Sequence, residues 1–316
     1  MSLEPQLVSP PYPLGRFAPS PTGDLHMGSL MAAVASFLAA KVAGGRWLLR
    51  IEDVDRPRQV PGAAERIIAD LARFGFEWDG PIVWQSARSE RYRQVLDALI
   101  EQGLVYPCSC SRREVQAAGQ VGIDGPVYPG FCRDGLAKPA ERLAWRFRVP
   151  DGEWEFTDPV QGRVVQNLAR DVGDFVVLRA DGCWAYQLAV VVDDADFGIS
   201  QIVRGADLLD STPRQLALQA ALGVDPPDYM HIPVISNERG EKLSKQTLAP
   251  VLQVGAEAAQ LLTALRLLHQ HPPLGLEKAA QSEVWVWALE NWNPALFPQR
   301  RSCRVAAGEG GRLVFV

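Results

Sequence analysis

Residues 15–51 constrain the fold of this 316-residue chain more than any other stretch. A short apolar run, Gly15–Phe17, leads into the turn "APSPTGDLH", then an Ala-rich apolar run from Met27 to Val42. A second apolar run, Trp47–Ile51, follows Gly44-Gly45 and ends in the carboxylates of "EDVD". Strand, turn, helix and strand at this length make a βαβ unit, whose crossover is right-handed and feeds a parallel sheet. Ligands of such sheets bind at the carboxyl ends of the strands, where both the turn and the "EDVD" cluster fall. A glycine lets backbone approach a ligand closely, and a helix start offers unpaired N–H groups to an anion. The turn is therefore a candidate phosphate site, although Pro/Gly turns and a capping His before a helix are also ordinary structural devices.

An apolar fraction of 47% and a charged fraction of 22% are those of a globular protein. The length allows two domains, or one large domain with an insertion. The longest apolar run, Leu30–Ala40, is broken by Ser36 and is too short to span a bilayer. No basic segment precedes it and no cleavage site follows, so the cytosol is the expected location and no membrane is expected as a partner. A net charge of −5 neither advertises nor excludes a nucleic-acid partner. Arginine clusters locally (Arg46 and Arg50, Arg56 and Arg58, Arg88 to Arg93, then Arg300, Arg301 and Arg304), and on charge alone these read as solvated faces.

Amphipathic helices are expected over Ala63–Phe74 and Glu90–Glu101, closed by Gly75 and Gly103. From about Tyr106 to Leu178, prolines, cysteines and alternating runs such as "LAWRFRV" suggest an inserted β-containing subdomain. Beyond it, "LAVVVDD" reads as a buried strand, Thr212–Leu222 as a helix and "YMHIPVI" as one strand before the loop "SNERGEKLSKQT". The tail from about Ala256 reads as helical and Trp-rich, then basic. Cys108, Cys110 and Cys132 fall close together, whereas Cys183 and Cys303 stand apart. In a reducing compartment that grouping points to a metal before a disulfide. Three thiolates are one ligand short of a closed tetrahedral zinc site.

Two loops supply groups for a triphosphate: the helix start with His26, and the lysines of "EKLSKQ". "PSPTGDLHMGS" resembles the "HIGH" signature and "KLSKQ" the "KMSKS" signature of class I aminoacyl-tRNA synthetases. "LRIEDVDRPR", "VVDDADFGISQIVRGADLLDSTPRQ" and "HIPVISNERGEKLSKQ" extend the resemblance to the glutamyl/glutaminyl branch, over Arg16–Gln246. It implies an α/β, Rossmann-like catalytic domain in two halves (1–105 and 181–250), an inserted zinc-bearing α+β subdomain (106–180) and a short helical C-terminal appendix (251–316). ATP, accompanied by Mg2+, would bind at Gly23, His26, Gly28, Ser29 and Lys245, with His26 and Lys245 catalytic and Lys242 supporting the loop. The glutamate site maps onto Arg16, Ala18, Ser20, Glu52, Tyr186 and Arg204. Arginine suits a carboxylate partner because its guanidinium is planar and permanently charged. Ser29 stands at the second His of "HIGH", and Leu243 and Gln246 replace Met and Ser of "KMSKS".

The cysteine spacing is similar to a Cys–Cys–Tyr–Cys zinc site found in a small relative within this family. That implies one structural zinc held by Cys108, Cys110, Tyr128 and Cys132, with a catalytic zinc carrying a water, or buried thiols without metal, as the alternatives. Roughly 70 residues follow Gln246, too few for the separate anticodon-binding domain of a full-length member. This plan resembles a truncated branch of the family that activates L-glutamate without tRNA. That branch passes glutamate to queuosine at the wobble position of tRNA(Asp), taking the anticodon loop into the catalytic pocket. Unstacked loop bases suit such a pocket, and modest RNA affinity with a shallow salt slope is expected of a monomer. Charging of a tRNA 3′ end, a non-catalytic RNA-binding role, and a nucleotidyltransferase acting on another acid are the competing readings.

Overall fold

The computed structural model describes residues 12–242, 252–308 and 313–316. The opening unit is β1 (Leu14–Phe17), α1 (Met27–Val42) and β2 (Arg46–Ile51), followed by α2 (Ala63–Arg73), β3 (Val83–Trp84) and α3 (Ser89–Glu101). β1, β2 and β3 are parallel, with Gly15 opposite Trp47 and Ile51 opposite Trp84. His26 caps α1: its Nδ1 accepts the Ser29 N–H at 3.2 Å, satisfying a donor left over by the first turn. α1 is buried on nearly every face because it lies against β1, β2 and a later helix of the tail. The polar break at Ser36 has a purpose in this setting, since its Oγ accepts from the buried Trp47 Nε1 at 3.0 Å. Trp47 in turn packs with Phe37 and Phe76, and Phe76 with Trp285 of the tail.

The inserted region carries β4 (Val105–Cys108), α4 (Arg112–Ala118), β5 (Val121–Gly122), β6 (Gly125–Pro126), β7 (Ala144–Phe147), β8 (Glu153–Asp158), β9 (Gly162–Asn167), α5 (Leu168–Asp171) and β10 (Phe175–Leu178). β7 lies between β4 and β10 in an antiparallel sheet, and β8 and β9 form a hairpin. The sheet does not close a core of its own. Phe147, Phe175 and Val177 pack with Leu96 of α3 and with Leu188 and Val191 from the following helix.

That helix is α6 (Tyr186–Asp196), and it corrects the expected strand at "LAVVVDD". A continuous apolar run signals burial but does not by itself distinguish a strand from a helix packed all round. Leu188 to Asp194 are buried without interruption. β11 (Gln201–Gly205), α7 (Thr212–Leu222) and β12 (Asp228–Ile232) follow, with β11 and β12 parallel. β11 starts beside β1, where Ser200 N–H donates to the Leu14 carbonyl at 3.0 Å, bringing the two halves together.

"YMHIPVI" is two strands rather than one. Proline has no N–H for a ladder, and the run breaks at Pro233 into β12 and β13 (Val234–Ser236). The tail supplies α8 (Glu257–Leu267) and α9 (Gln281–Asn291), then β14 (Ser302–Ala307) and β15 (Leu313–Phe315). It is therefore not simply a helical appendix. β14 pairs in parallel with β13, Val234 opposite Ser302, and turns back antiparallel on β15. Cys303 and Val305 are buried while Arg304 is exposed, an alternation of two that the basic composition obscured. Leu261, Leu265, Val284 and Trp285 complete the core over α1. No helix among the described residues is long and apolar enough to cross a membrane.

Candidate active site

Two cavities open at the carboxyl ends of β1, β2 and β11. The larger, about 1140 Å³, is lined by all six residues expected to bind the amino acid: Arg16, Ala18, Ser20, Glu52, Tyr186 and Arg204. The smaller, about 550 Å³, is lined by His26, Gly28 and Ser29 at the start of α1 and by Lys242 beyond β13. They share a wall built from Phe17, Ala18, Ser20, Gly205 and Leu208. Gly205 lies close under two side chains: a Cβ there would stand 2.4 Å from Asp207 Oδ1 and 3.0 Å from Val234 Cγ1, so Asp207 would have to swing aside. Gly23 does not line either cavity; its φ of +136° forms the turn that brings β1 round to α1. Lys245 lies outside the described residues.

The wall that carries Arg16 and Glu52 rests on a buried ionic network that the linear sequence concealed. Asp194 on α6 accepts from Arg16 Nε at 3.2 Å and from Arg50 Nη1 at 2.6 Å. Arg50 also donates to Glu52 at 3.3 Å, and its Nε lies 3.8 Å from Asp193. Asp193 is held by Gln85 at 2.7 Å, Tyr92 at 2.8 Å and Arg88. Arg50 is thus buried and Arg88 half-buried, contrary to the reading of these clusters as solvated faces from charge alone. Arg16, Arg50 and Arg88 face Glu52, Asp193 and Asp194, and Arg88 continues outward to Asp196 and Arg91, so guanidinium and carboxyl groups match in number. Burial alone would raise the Asp194 pKa, but Arg16 and Arg50 outweigh it and hold the carboxyl below its usual range. Glu52 goes the other way: burial dominates over Arg50 and Arg16, and its carboxyl is pushed up. A cation arriving in the cavity would stabilise the ionised form. Two adjacent aspartates in an apolar run were the available signal, because buried carboxylates need charged partners. Of the other "EDVD" carboxylates, Asp55 lines the large cavity, whereas Asp53 turns away to accept from Ser86 N and Oγ at 2.7 and 2.6 Å.

Arg204, on β11, is held on three sides. It donates to Tyr186 Oη at 3.3 Å, Thr212 Oγ1 at 2.9 Å and His231 Nε2 at 3.0 Å. At the smaller cavity, His26 spends its Nδ1 lone pair on the helix cap, so a neutral ring carries its proton on Nε2. Lys242 is ion-paired to Asp207 at 2.5 Å.

The opposite side of the large cavity comes from the inserted region, including Cys110, Ser111 and Arg112. The sulfurs of Cys108, Cys110 and Cys132 lie within 4.8 Å of one another. Cys110 and Cys132 are 3.6 Å apart, close to the ~3.8 Å between sulfurs of a tetrahedral site with bonds of ~2.3 Å. Tyr128 Oη lies 3.4 Å from Cys108 Sγ and 3.7 Å from Cys110 Sγ, and accepts the Cys132 N–H at 2.9 Å. Burial would raise the Cys132 pKa, but the Ala137 N–H and Ser109 overcome it and bring the thiol to about 6. Arg146 Nε donates to Cys108 Sγ at 3.2 Å while its guanidinium lies 3.8 Å over the Tyr128 ring. This donor set suits a soft divalent cation, with cationic and N–H support for the thiolates.

The family described as tRNA synthetases class I (E and Q), catalytic domain, matches residues 14–268, and the chain belongs to that family. Membership makes it a ligase that uses ATP. At the level of individual proteins, the chain is 56% identical over 284 residues to the glutamyl-Q tRNA(Asp) synthetase of Chromobacterium violaceum, covering 90% of this chain and 95% of that one. It is 55% identical to the protein of the same name from Dechloromonas aromatica, covering 93% and 98%. Among solved structures, a glutamate tRNA ligase from Elizabethkingia meningosepticum superposes with a TM-score of 0.75 at 24% identity, over 93% of this chain and 67% of that one. The last comparison speaks to the fold alone.

Proposed function

We propose that this protein activates L-glutamate with ATP, without tRNA, and transfers the glutamyl group to queuosine at the wobble position of tRNA(Asp). The observation that carries this reading is the shared wall. A cavity with Arg16 and Arg204 for a side-chain carboxylate and Glu52 for an ammonium adjoins a second cavity at a helix N-terminus. The substrate α-carboxylate attacks the α-phosphorus of ATP, the bond to pyrophosphate breaks, and the negative charge leaves with pyrophosphate. The protein's contribution is placement and charge stabilisation. His26 Nε2–H and the N–H groups of the α1 start donate to phosphate oxygens, and Lys245 neutralises the leaving pyrophosphate. Lys242, paired with Asp207, anchors the base of that loop. Mg2+ accompanies the nucleotide.

The large cavity exceeds the ~300–1,000 Å³ that holds a drug-sized ligand. Its far side, with Arg112, Arg179 and Trp184, is open to a nucleoside delivered by an anticodon loop. The names of the relatives support queuosine as that nucleoside. Zinc at Cys108, Cys110, Cys132 and Tyr128 would cross-link β4 to the loop before β7 and fix this side of the cavity. The protein acts as a cytoplasmic monomer.

ATP–pyrophosphate exchange with glutamate and no tRNA, followed by transfer to queuosine-modified and unmodified tRNA(Asp), tests the reading. Exchange with glutamate, and transfer only to the modified tRNA, are expected. Absence of exchange overturns tRNA-independent activation. Transfer mapped by nuclease digestion to the 3′ end overturns the acceptor.

A further inference from the structure

Arg204 is oriented by two buried residues that do not line the cavity. His231, on β12, is fully buried, and Asp158, at the end of β8, is 1% exposed. His231 Nδ1 lies 2.7 Å from Asp158 Oδ2, and on the other side of the ring Nε2 receives Arg204 Nε–H at 3.0 Å. A guanidinium nitrogen can only donate. Nε2 must therefore carry a lone pair, and the single proton of the neutral ring sits on Nδ1 and is donated to Asp158. Thr212 Oγ1 is compatible with the same assignment: it accepts from Arg204 Nη2 at 2.9 Å and lies 3.1 Å from Nε2, where its hydroxyl can only share the one lone pair that Arg204 Nε–H engages. Burial, with the Arg204 charge nearby, outweighs the pull of Asp158 and lowers the His231 pKa to about 4, so the ring is neutral at ordinary pH. Asp158 is itself fixed by the N–H groups of Val160, Gln161 and His231, at 2.8, 2.8 and 2.9 Å.

Arg204 has five N–H groups, of which three are spent on His231, Tyr186 and Thr212. The two that remain are on the terminal nitrogens, a fork matched to one carboxylate. With Nε taken by His231, the guanidinium can present only that end.

We infer that Asp158 and His231 form a positioning pair: Asp158 sets the histidine tautomer, and the histidine lone pair aims the Arg204 fork at the side-chain carboxylate of the amino acid. This rests on the reading of Arg204 as the partner of that carboxylate. The pair also ties the β8–β9 hairpin of the inserted region to the amino-acid pocket, since Asp158 comes from the one and His231 from β12.

The test uses two substitutions that divide the functions of the ring, read by glutamate-dependent pyrophosphate exchange. His231→Gln can place an amide oxygen against Arg204 Nε–H; the glutamate KM is expected to stay within about threefold of the parent. His231→Asn is too short to reach Arg204 but can still donate to Asp158; the glutamate KM is expected to rise at least about tenfold, with the ATP KM nearly unchanged. Equal effects of the two substitutions, or an ATP KM that rises with the glutamate KM, overturn the pair. Nitrogen-15 NMR of the parent protein, which has four histidines, gives a readout that does not depend on a variant folding. A neutral Nδ1–H tautomer for His231 is expected, and an Nε2–H tautomer overturns the assignment. Arg204→Lys separates the two levels. If it leaves the glutamate KM unchanged, the pocket reading itself fails; if it raises the KM while His231→Asn does not, only the positioning pair fails.

Discussion

On the larger-cavity side of the shared wall, Arg16 and Arg50 both donate to Asp194, the three residues having 4%, 2% and 3% of their surface exposed. On the smaller-cavity side, the ion pair between Lys242 and Asp207 leaves their side chains 46% and 35% exposed. The same kind of contact thus has two different energetic characters within one active site. Buried charges pair in a low dielectric, and removing one partner strands the others at high cost. An exposed pair is screened and is cheap to rearrange. The wall with Arg16 and Arg50 is consequently fixed by the fold, whereas the pair between Lys242 and Asp207 can rearrange at little cost.

The largest effect that tests this contrast is Asp194→Ala, which would leave Arg16 and Arg50 buried without their shared partner. A loss of about 3–5 kcal/mol is expected in urea unfolding; a loss below ~1 kcal/mol would place this network in the same class as the exposed pair. A second effect, of about 3 kcal/mol, is expected from acid. The His231 pKa is lowered to about 4 in the folded protein from 6.5, by burial first, so as pH falls the unfolded chain takes the proton before the folded one does. Stability is full above pH ~6.5 and is lost as pH falls towards ~4. Unfolding titrations across that window should show the slope, and His231→Gln should flatten it. The smallest effect is Asp207→Ala: stability within ~1 kcal/mol of the parent, with the ATP KM changing more than the glutamate KM. A large destabilisation there would remove the distinction between the two sides.

Much of the first unit was legible because its signals are local. The ends of α1 follow from the Pro/Gly turn and from Gly44-Gly45, and β2 from an apolar run closed by charge. The six residues that motif resemblance assigns to the amino acid meet in one cavity, although Glu52 and Tyr186 lie far apart in sequence. The misreadings are equally specific. "LAVVVDD" looked like a strand because burial on all sides erases the period that marks a helix. "YMHIPVI" looked continuous because pairing partners, not composition, decide where a strand changes neighbours. The tail looked helical and basic because its strand alternation spans only a few residues.

By itself, then, the sequence determined the βαβ start, the grouping of the three cysteines and the family to which its motifs belong, since each depends on residues close together in the chain or on a recognisable pattern. Only the tertiary structure decided which charges hold which. Asp194 meets Arg16 and Arg50 across 178 and 144 residues, and Asp158 meets His231 across 73. Local propensity carries no information about such pairs. They are chosen by the requirement that every charge taken out of water find an opposite charge or a hydrogen bond where the folded chain delivers it.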